Sequence, residues 1–266
     1  MTTLTASFRD SGVVAWRNLI NIRRNPDWLL SGTVQPIMFV LLFAYVFGGS
    51  LGGGPYREFL IAGIFTQTVA FNSAFTVIGL ANDLQKGIVD RFRSLPMSRL
   101  AVLLGRTTSD LAVSVLTIVI MTVCGLLVGW RIRGSWTDAI VAYFLLLLFA
   151  FTMSWVGAFI GLISTSVEMA QSAGLLWLFP VTFISSAFVP THNMPTALRV
   201  FAEWNPITVI GDAVRELFGN PIRVGTPLPT GWQAENPILY SILACAVILA
   251  IFVPLAVNRY RRVASH

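Results

Sequence analysis

Six long uncharged stretches, separated by short polar segments, dominate the pattern of this chain. They cover residues 28–56, 59–82, 111–130, 139–167, 169–198 and 236–258. Each stretch reaches the roughly 20 residues that a helix needs to cross the hydrocarbon core of a bilayer. The pattern therefore predicts an all-α integral membrane protein with six transmembrane helices.

Two further segments are apolar but are interrupted too often to span. In residues 8–25, aliphatic side chains and Trp16 interleave with four arginines, a pattern that predicts an amphipathic helix lying in the membrane interface. Residues 190–220 contain short apolar helices broken by prolines, which predicts a re-entrant helical hairpin before the last span. In its second half we expect an apolar face, with the polar side chains Asp212, Arg215 and Glu216 on the other side.

The composition agrees with a membrane protein. Of the 266 residues, 55% are hydrophobic and only 11% are charged, whereas soluble domains carry roughly 25% charged residues. The net charge of +6 is best explained by cytoplasmic loops that face anionic lipid, and no base-reading module for nucleic acid is present. Residues 1–266 form a single domain in this interpretation.

The arginines predict the orientation. With the amino terminus, residues 82–106 and the carboxyl terminus in the cytoplasm, that side holds 12 basic residues and the outside holds 6. This excess supports both termini inside, as six spans require, and places residues 190–220 outside. The Arg131/Arg133 pair lies on the outside and is a local exception.

The densest patch of charge lies between the second and third spans, at residues 82–99. Its apolar residues recur at helical spacing and predict a helix over residues 82–96, which Pro96 ends. Such a helix offers a docking surface to a soluble partner, and the alternative is a solvated loop. The apolar stripe consists of Leu84, Ile88, Phe92 and Leu95, with Lys86 and Asp90 opposite.

Several kinds of chemistry are excluded. Lys86 is the only lysine and precedes Gly87, so the chain has no phosphate-binding loop and no ATP site of that kind. Motifs of metalloproteases and serine hydrolases are absent, and we predict no catalytic residue, metal site or cofactor in this chain. The span centres hold no ionisable side chain, which argues against an ion-driven carrier. A transporter of this kind needs an external energy source.

Three blocks carry a resemblance to a known family: Asp83–Met97, Phe179–Pro190 and Phe201–Pro206. With its length and six-span plan, the chain resembles the permease subunits of ABC-2 type exporters, and most closely the daunorubicin/doxorubicin-resistance permeases (DrrB-like). It departs from many relatives at Gln85-Lys86-Gly87, where they carry an acidic residue before the glycine.

The resemblance implies a bacterial plasma-membrane exporter of an amphipathic drug-like or lipid molecule. It implies a dimer of permeases, surrounded by membrane lipids, on a pair of separate ATPase subunits that bind ATP and Mg. Residues 82–96 would then be the coupling helix, which contacts the ATPase through Leu84, Lys86, Gly87, Ile88, Asp90, Arg91, Phe92 and Leu95. Five aromatic residues are candidates for the substrate pathway, although each is also compatible with plain helix packing: Phe71, Phe75, Trp177, Phe179 and Phe183.

Two alternatives remain open at the level of sequence. The first is an ABC-2 exporter of polysaccharide or glycolipid. The second, from a different class, is an ATP-independent channel or membrane scaffold that anchors a soluble partner.

Overall fold

The structure, a computed structural model, describes residues 26–47, 54–87, 99–221 and 231–263. Within them the chain is helical, with no strand, which confirms the predicted all-α class. The helices are α1 (Pro26–Leu41, continued by a π-helical segment Leu42–Phe47), α2 (Gly54–Gln85), α3 (Arg99–Leu127), α4 (Trp136–Ile163), α5 (Val167–Phe183), a 3-10 turn (Thr191–Asn193), α6 (Thr196–Trp204), α7 (Pro206–Leu217), α8 (Trp232–Glu235) and α9 (Pro237–Val263).

Four of these helices are long and apolar enough to cross a membrane. They are Gly54–Gln85, Ala101–Leu127, Trp136–Ile163 and Pro237–Arg262, and they correspond to the predicted spans 59–82, 111–130, 139–167 and 236–258. Apolar runs of this length predict helices well because the signal is local and does not depend on how the helices pack.

The other two predicted spans differ from the structure. In the stretch 28–56, helix α1 and its π segment reach Phe47, and a separate helix begins at Gly54. In the stretch 169–198, helix α5 has 17 residues and ends at Phe183. The prediction that this helix extends to residue 198 is therefore wrong, and four of the six predicted spans are present among the described residues as helices of spanning length. The predicted interfacial helix at 8–25 lies outside the described residues.

Asn205 explains both where α5 ends and where α7 begins. Its side-chain nitrogen donates to the carbonyls of Val181 (2.6 Å) and Ile184 (2.9 Å), which satisfies the end of α5. Its side-chain oxygen accepts from the backbone N–H of Ile207 (2.9 Å) and so forms the N-cap of α7. One residue thus closes the loop that carries α6, and the predicted region of short broken helices is present as α6 and α7.

Helix α2 lies at the centre of the fold and is buried along most of its length. Helix α4 packs closely against it, since a Cβ at Gly157 would lie 2.5 Å from the carbonyl oxygen of Ser73 and one at Gly161 would lie 2.7 Å from that of Val77. Small residues allow this approach between helix backbones in lipid.

The fold has two ends that matter for function. The hairpin end contains α7, the start of α2 and the α3–α4 loop, where the N–H of Arg133 donates to the carbonyl of Phe218 (2.8 Å). At the opposite end, which we call the Gly87 end, Leu84 packs beside Leu162 and Tyr260 in a smaller apolar cluster. The main core fills the space between the two ends around α2 and α4.

Candidate functional site

The predicted coupling helix is described only in its first part. Residues 82–85 are the last turn of α2 rather than the start of a new helix, so the predicted boundary at residue 82 is wrong. The chain turns at Lys86 and Gly87, and the φ of +64° at Gly87 is a left-handed conformation that favours glycine. Helix α2 therefore ends at Gln85, and Leu84 is the one residue of the predicted stripe that the structure describes.

The remaining predicted contact residues lie outside the described residues: Ile88, Asp90, Arg91, Phe92 and Leu95. Of the others, Leu84 is half-buried and packs against a core cluster that includes Leu103 and Trp155. Lys86 is exposed. The structure therefore describes residues 82–87 of this segment and the helices on either side of it, α2 up to Gln85 and α3 from Arg99.

Arg106 of α3 joins the helices on either side of that segment. Its guanidinium lies 3.6 Å from the Asp83 carboxylate on α2 and 3.3 Å from the Asp110 carboxylate one turn further along α3. It also donates to the carbonyl of Phe75 (3.3 Å), and the hydroxyl of Thr76 donates to Asp110 (2.8 Å). We call this set of interactions between α2 and α3 the Arg106 seam.

A missing side chain on α2 makes room for Arg106. A Cβ placed on Gly79 would lie 1.8 Å from Nη2 of Arg106, so only glycine leaves space for the guanidinium here. The seam continues toward the middle of the helices, where the amide of Asn72 donates to the hydroxyl of Ser114 (3.4 Å). Sequence reasoning missed the seam, although polar and small residues at three- and four-residue spacing on both helices are a visible signal.

A cleft of ≈ 250 Å³ lies between α1, α2 and α5. Amide side chains from all three helices line it, and none of its lining residues is charged. Phe71 and Phe75, two of the predicted pathway residues, are among the lining, and Phe75 also accepts the hydrogen bond from Arg106. The amides are Gln35 on α1, Gln67 and Asn72 on α2, and Gln171 on α5.

An aromatic row runs from this cleft toward the hairpin end. The ring of Phe71 meets Phe179 edge-on at 5.5 Å between centroids, Phe179 stacks on Phe183 at 5.7 Å, and Phe183 meets Phe188 at 5.4 Å. Phe179 and Phe183 are 46% and 48% exposed, so the row is open on one side. Four of the five predicted pathway residues are thus near one another.

Trp177, the fifth predicted pathway residue, has a different position. It packs against the main core and is not among the residues that line the cleft. Its buried indole N–H has no hydrogen-bond partner among the described residues. Trp177 therefore has the environment of a packing residue, unlike Phe179 and Phe183 on the same helix.

At the hairpin end, α7 is held by a buried arginine. Arg215 has no exposed surface and donates to the carboxylate of Asp212 (2.6 Å), the carbonyl of Phe59 (2.9 Å) and the carbonyl of Ser186 (2.9 Å). Its guanidinium carbon lies 3.8 Å from the centroid of the Phe59 ring. We call this the Arg215 cluster.

The Arg215 cluster corrects the predicted orientation of α7. Of the three residues expected on its outer polar face, Glu216 is exposed, but Asp212 is 8% and Arg215 is 0% exposed. Asp212 and Arg215 on the polar face of α7 are buried because this face meets backbone carbonyls of α2 and of the chain after α5. The guanidinium of Arg215 satisfies these carbonyls by donating hydrogen bonds to them.

The α3–α4 loop adds polar contacts at the same end. The indole of Trp130 donates to the side chain of Asn220 (2.7 Å), and the exposed guanidinium of Arg133 pairs with the largely buried carboxylate of Glu58 (2.6 Å). The hydrogen bond to Glu58, followed by its negative charge, raises the pKa of the Arg133 guanidinium above its ordinary value. Arg133 therefore stays positively charged across the physiological pH range.

The described residues contain no group of three or more His, Cys, Asp or Glu side chains arranged to hold a metal ion. The carboxylates in the candidate site, Asp83 and Asp110, are paired with Arg106. What this arrangement offers is a mechanical connection between two helices and a neutral, amide-lined cleft beside it.

Comparison with known proteins gives a consistent result. The family model "ABC-2 type transporter" matches residues 10–218. The chain is 28% identical over 253 residues to the daunorubicin resistance ABC transporter permease protein DrrB1 of Streptomyces coeruleorubidus, covering 94% of this chain and 86% of that protein.

Two further relatives are more distant. A putative transport permease, ycf38, of Cyanophora paradoxa is 25% identical over 215 residues, covering 78% of this chain and 73% of that protein. The probable doxorubicin resistance ABC transporter permease protein DrrC of Mycobacterium tuberculosis is 20% identical over 245 residues, covering 90% of this chain and 83% of that protein.

Proposed function

Because the chain belongs to the ABC-2 type transporter family, we propose that it is the membrane permease subunit of an ATP-driven exporter. It moves an amphipathic drug-like or lipid molecule out of the cytoplasm or the inner leaflet. The named drug resistance of its relatives and the uncharged cleft beside an aromatic row support this substrate class.

The chain crosses the plasma membrane of a bacterium six times in this proposal, with both termini in the cytoplasm. Two spans in addition to the four long helices come from α1 with its π segment and from α5. The Gly87 end faces the cytoplasm, and the hairpin end, with α6 and α7, faces outward as a re-entrant hairpin. The distribution of arginines supports this orientation.

The energy comes from a separate pair of ATPase subunits, which bind ATP and Mg. They contact the segment between α2 and α3 through Leu84, Lys86, Gly87, Ile88, Asp90, Arg91, Phe92 and Leu95. A second permease copy, the same or similar, completes the transporter. The exposed aromatics Phe179 and Phe183 then line the pathway together with Phe71 and Phe75.

The observation that carries the proposal is the connection from this segment to the cleft. Asp83 lies three residues before Lys86, and Arg106 binds both Asp83 and the carbonyl of Phe75, a cleft-lining residue. A displacement of the segment therefore moves α2 and α3 together rather than separately. The movement reaches the wall of the cleft two turns above Asp83.

The test requires the permease together with an ATPase encoded by a neighbouring reading frame. We expect the two to co-purify from membranes, and we expect the permease to change the ATPase rate when an amphipathic compound is added. Phe92→Asp places a charge on the apolar stripe and should abolish co-purification, because burying an unpaired carboxylate in a docking groove is unfavourable.

Arg199→Gln is a suitable control, since Arg199 lies on α6, far along the chain from the segment, and complex formation should not change. An ATPase that binds Phe92→Asp as well as the unchanged permease would contradict the coupling role. Failure to find any ATPase partner would instead favour an ATP-independent channel or scaffold.

A further inference from the structure

Gln67 is an unusual residue for the middle of an apolar helix. It is only 3% exposed, yet its amide makes no hydrogen bond to any of the described residues. Its surroundings are the cleft between α1, α2 and α5, which it lines together with Thr68. A buried amide without a partner costs free energy unless a ligand or water satisfies it.

The other amides in the cleft have the same chemistry. Gln35 and Gln171 are exposed side chains on α1 and α5, and Asn72 uses one N–H for a long bond to Ser114. A carboxamide both donates and accepts hydrogen bonds, so these groups suit carbonyl and hydroxyl oxygens. Amides from three helices thus face one cavity.

The remaining lining determines what else the ligand must be. Phe39, Phe71 and Phe75 supply apolar ring surface, and no residue of the lining carries a charge. An ionised group would enter this space without a counter-ion, at a high desolvation cost. The ≈ 250 Å³ of space is smaller than the roughly 300–1,000 Å³ of sites that enclose a whole drug-sized ligand.

We propose that this cleft binds the uncharged, hydrogen-bonding part of an amphipathic molecule, and that the Gln67 amide selects a carbonyl or hydroxyl group carried on an apolar framework. This inference rests on the proposed function only for the claim that the ligand is transported. The carbonyl or hydroxyl group belongs either to a dissolved solute or to the ester of a membrane lipid, and the experiment distinguishes the two sources.

The experiment measures binding to the full chain in phosphatidylcholine nanodiscs without ATP or ATPase, so that failure of the exporter proposal does not affect it. The probe is 2-acetyl-6-(dimethylamino)naphthalene, which is flat, uncharged and fluorescent and has one carbonyl. Its partner probe has an ethyl group in place of the acetyl group. Saturable fluorescence above that of empty nanodiscs reports binding.

We expect the acetyl probe to bind about tenfold more tightly than the ethyl probe, as one hydrogen bond in a desolvated site provides. Gln67→Leu should remove that difference, and Gln171→Leu, at the open rim, should reduce it about threefold. The matched control is Gln233→Leu, because Gln233 is equally buried (3% exposed) but lies on α8. It should leave the difference unchanged.

Equal affinities for the two probes, or an unchanged preference in Gln67→Leu, would overturn the assignment. Tight binding of a trimethylammonium derivative of the probe would contradict the neutral lining. Nanodiscs of ether-linked phosphatidylcholine, which lacks ester carbonyls, identify the source of the oxygen group. If the probe binds more tightly in ether lipid, lipid esters compete for the cleft and are its occupant. If the probe binds equally in both lipids, the occupant is a dissolved solute. Either result is compatible with the amide chemistry.

Discussion

Two arginines contact the same helix, α2, in different ways. Arg215 lies at the hairpin end over Gly63, and Arg106 lies over Gly79, 16 residues further along, about 24 Å in a helix. In both places a Cβ would collide with the guanidinium, at 2.7 Å from Arg215 and 1.8 Å from Arg106. Glycine therefore makes both arginine sites possible.

The surroundings of the two arginines differ. Arg215 has no exposed surface and is fixed by two backbone carbonyls besides Asp212. The side chain of Arg106 is 14% exposed and is held mainly by the carboxylates of Asp83 (23% exposed) and Asp110. Backbone carbonyls of packed helices have little freedom to move, whereas carboxylate side chains change rotamer, so the contacts of Arg106 can adjust without being lost. The comparison indicates a fixed brace at the hairpin end and an adjustable connection near the Gly87 end.

The largest effect is expected for Arg215→Leu. It removes the cation paired with the buried Asp212 carboxylate and the donor to the carbonyls of Phe59 and Ser186, which should cost about 3–5 kcal/mol of unfolding free energy. Unfolding of the purified permease in mixed micelles of denaturing and mild detergent measures this loss. Glu216→Gln, exposed on the same helix, is the control and should behave like the unchanged protein. An Arg215→Leu protein of normal stability would contradict a fixed brace.

Gly63→Ala should have the next largest effect. The added Cβ would lie 1.9 Å from the carbonyl oxygen of Ala187, a backbone atom that has little freedom to move. We expect a loss of about 1–3 kcal/mol, as for other overpacked sites. Gly54→Ala is matched to it, since it lies on the same helix with nothing within 4 Å of the new Cβ. Equal stability of the two variants would show that the close approach at Gly63 is not limiting.

Gly79→Ala should affect stability less than Gly63→Ala. The new Cβ meets the end of a flexible side chain, which swings away and gives up part of its bonds to Asp83 and Phe75. Alanine also favours the helix by roughly 0.5–1 kcal/mol, so the net loss should be about 1 kcal/mol or less. The same unfolding assay compares the two variants directly. A larger loss at Gly79 than at Gly63 would reverse the assignment of brace and adjustable connection.

The smallest effect is expected for Arg133→Gln. The Arg133 side chain is 61% exposed, whereas the Glu58 side chain is 15% exposed. Ion pairs that water reaches contribute little, and the glutamine amide can still donate a hydrogen bond to Glu58. The midpoint of unfolding should not change measurably, at low or at high salt. A clear loss of stability would show that the hairpin end depends on surface pairs as well as on the Arg215 cluster.

Much of the fold follows from the sequence, because long apolar runs specify helices without reference to their neighbours. The end of α5 does not, since it depends on Asn205, 22 residues after Phe183, reaching back to the carbonyls of Val181 and Ile184. The inward position of Arg215 likewise depends on carbonyls of other segments. An amphipathic pattern alone does not distinguish water from a polar protein surface as the partner of a polar helix face.

The candidate site was predicted in part. Aromatic residues on α2 and α5 suggested a pathway, and the structure brings Phe71, Phe75, Phe179 and Phe183 near the cleft, whereas Trp177 packs into the core. The Arg106 seam was not predicted, because its closure requires Gly79 on one helix to face Arg106 on another. Such pairings depend on the register between helices, which a single sequence does not provide.

The most direct test of the coupling route is the accessibility of the cleft. A cysteine at Gln171, in a background with Cys124→Ala and Cys245→Ala, reports the cleft through its labelling rate with a water-soluble maleimide. In the complex with the ATPase, we predict that ATP changes this rate several-fold, and that Arg106→Gln abolishes the change while the ATPase remains bound. The same ATP-dependent change in Arg106→Gln would contradict transmission through the seam.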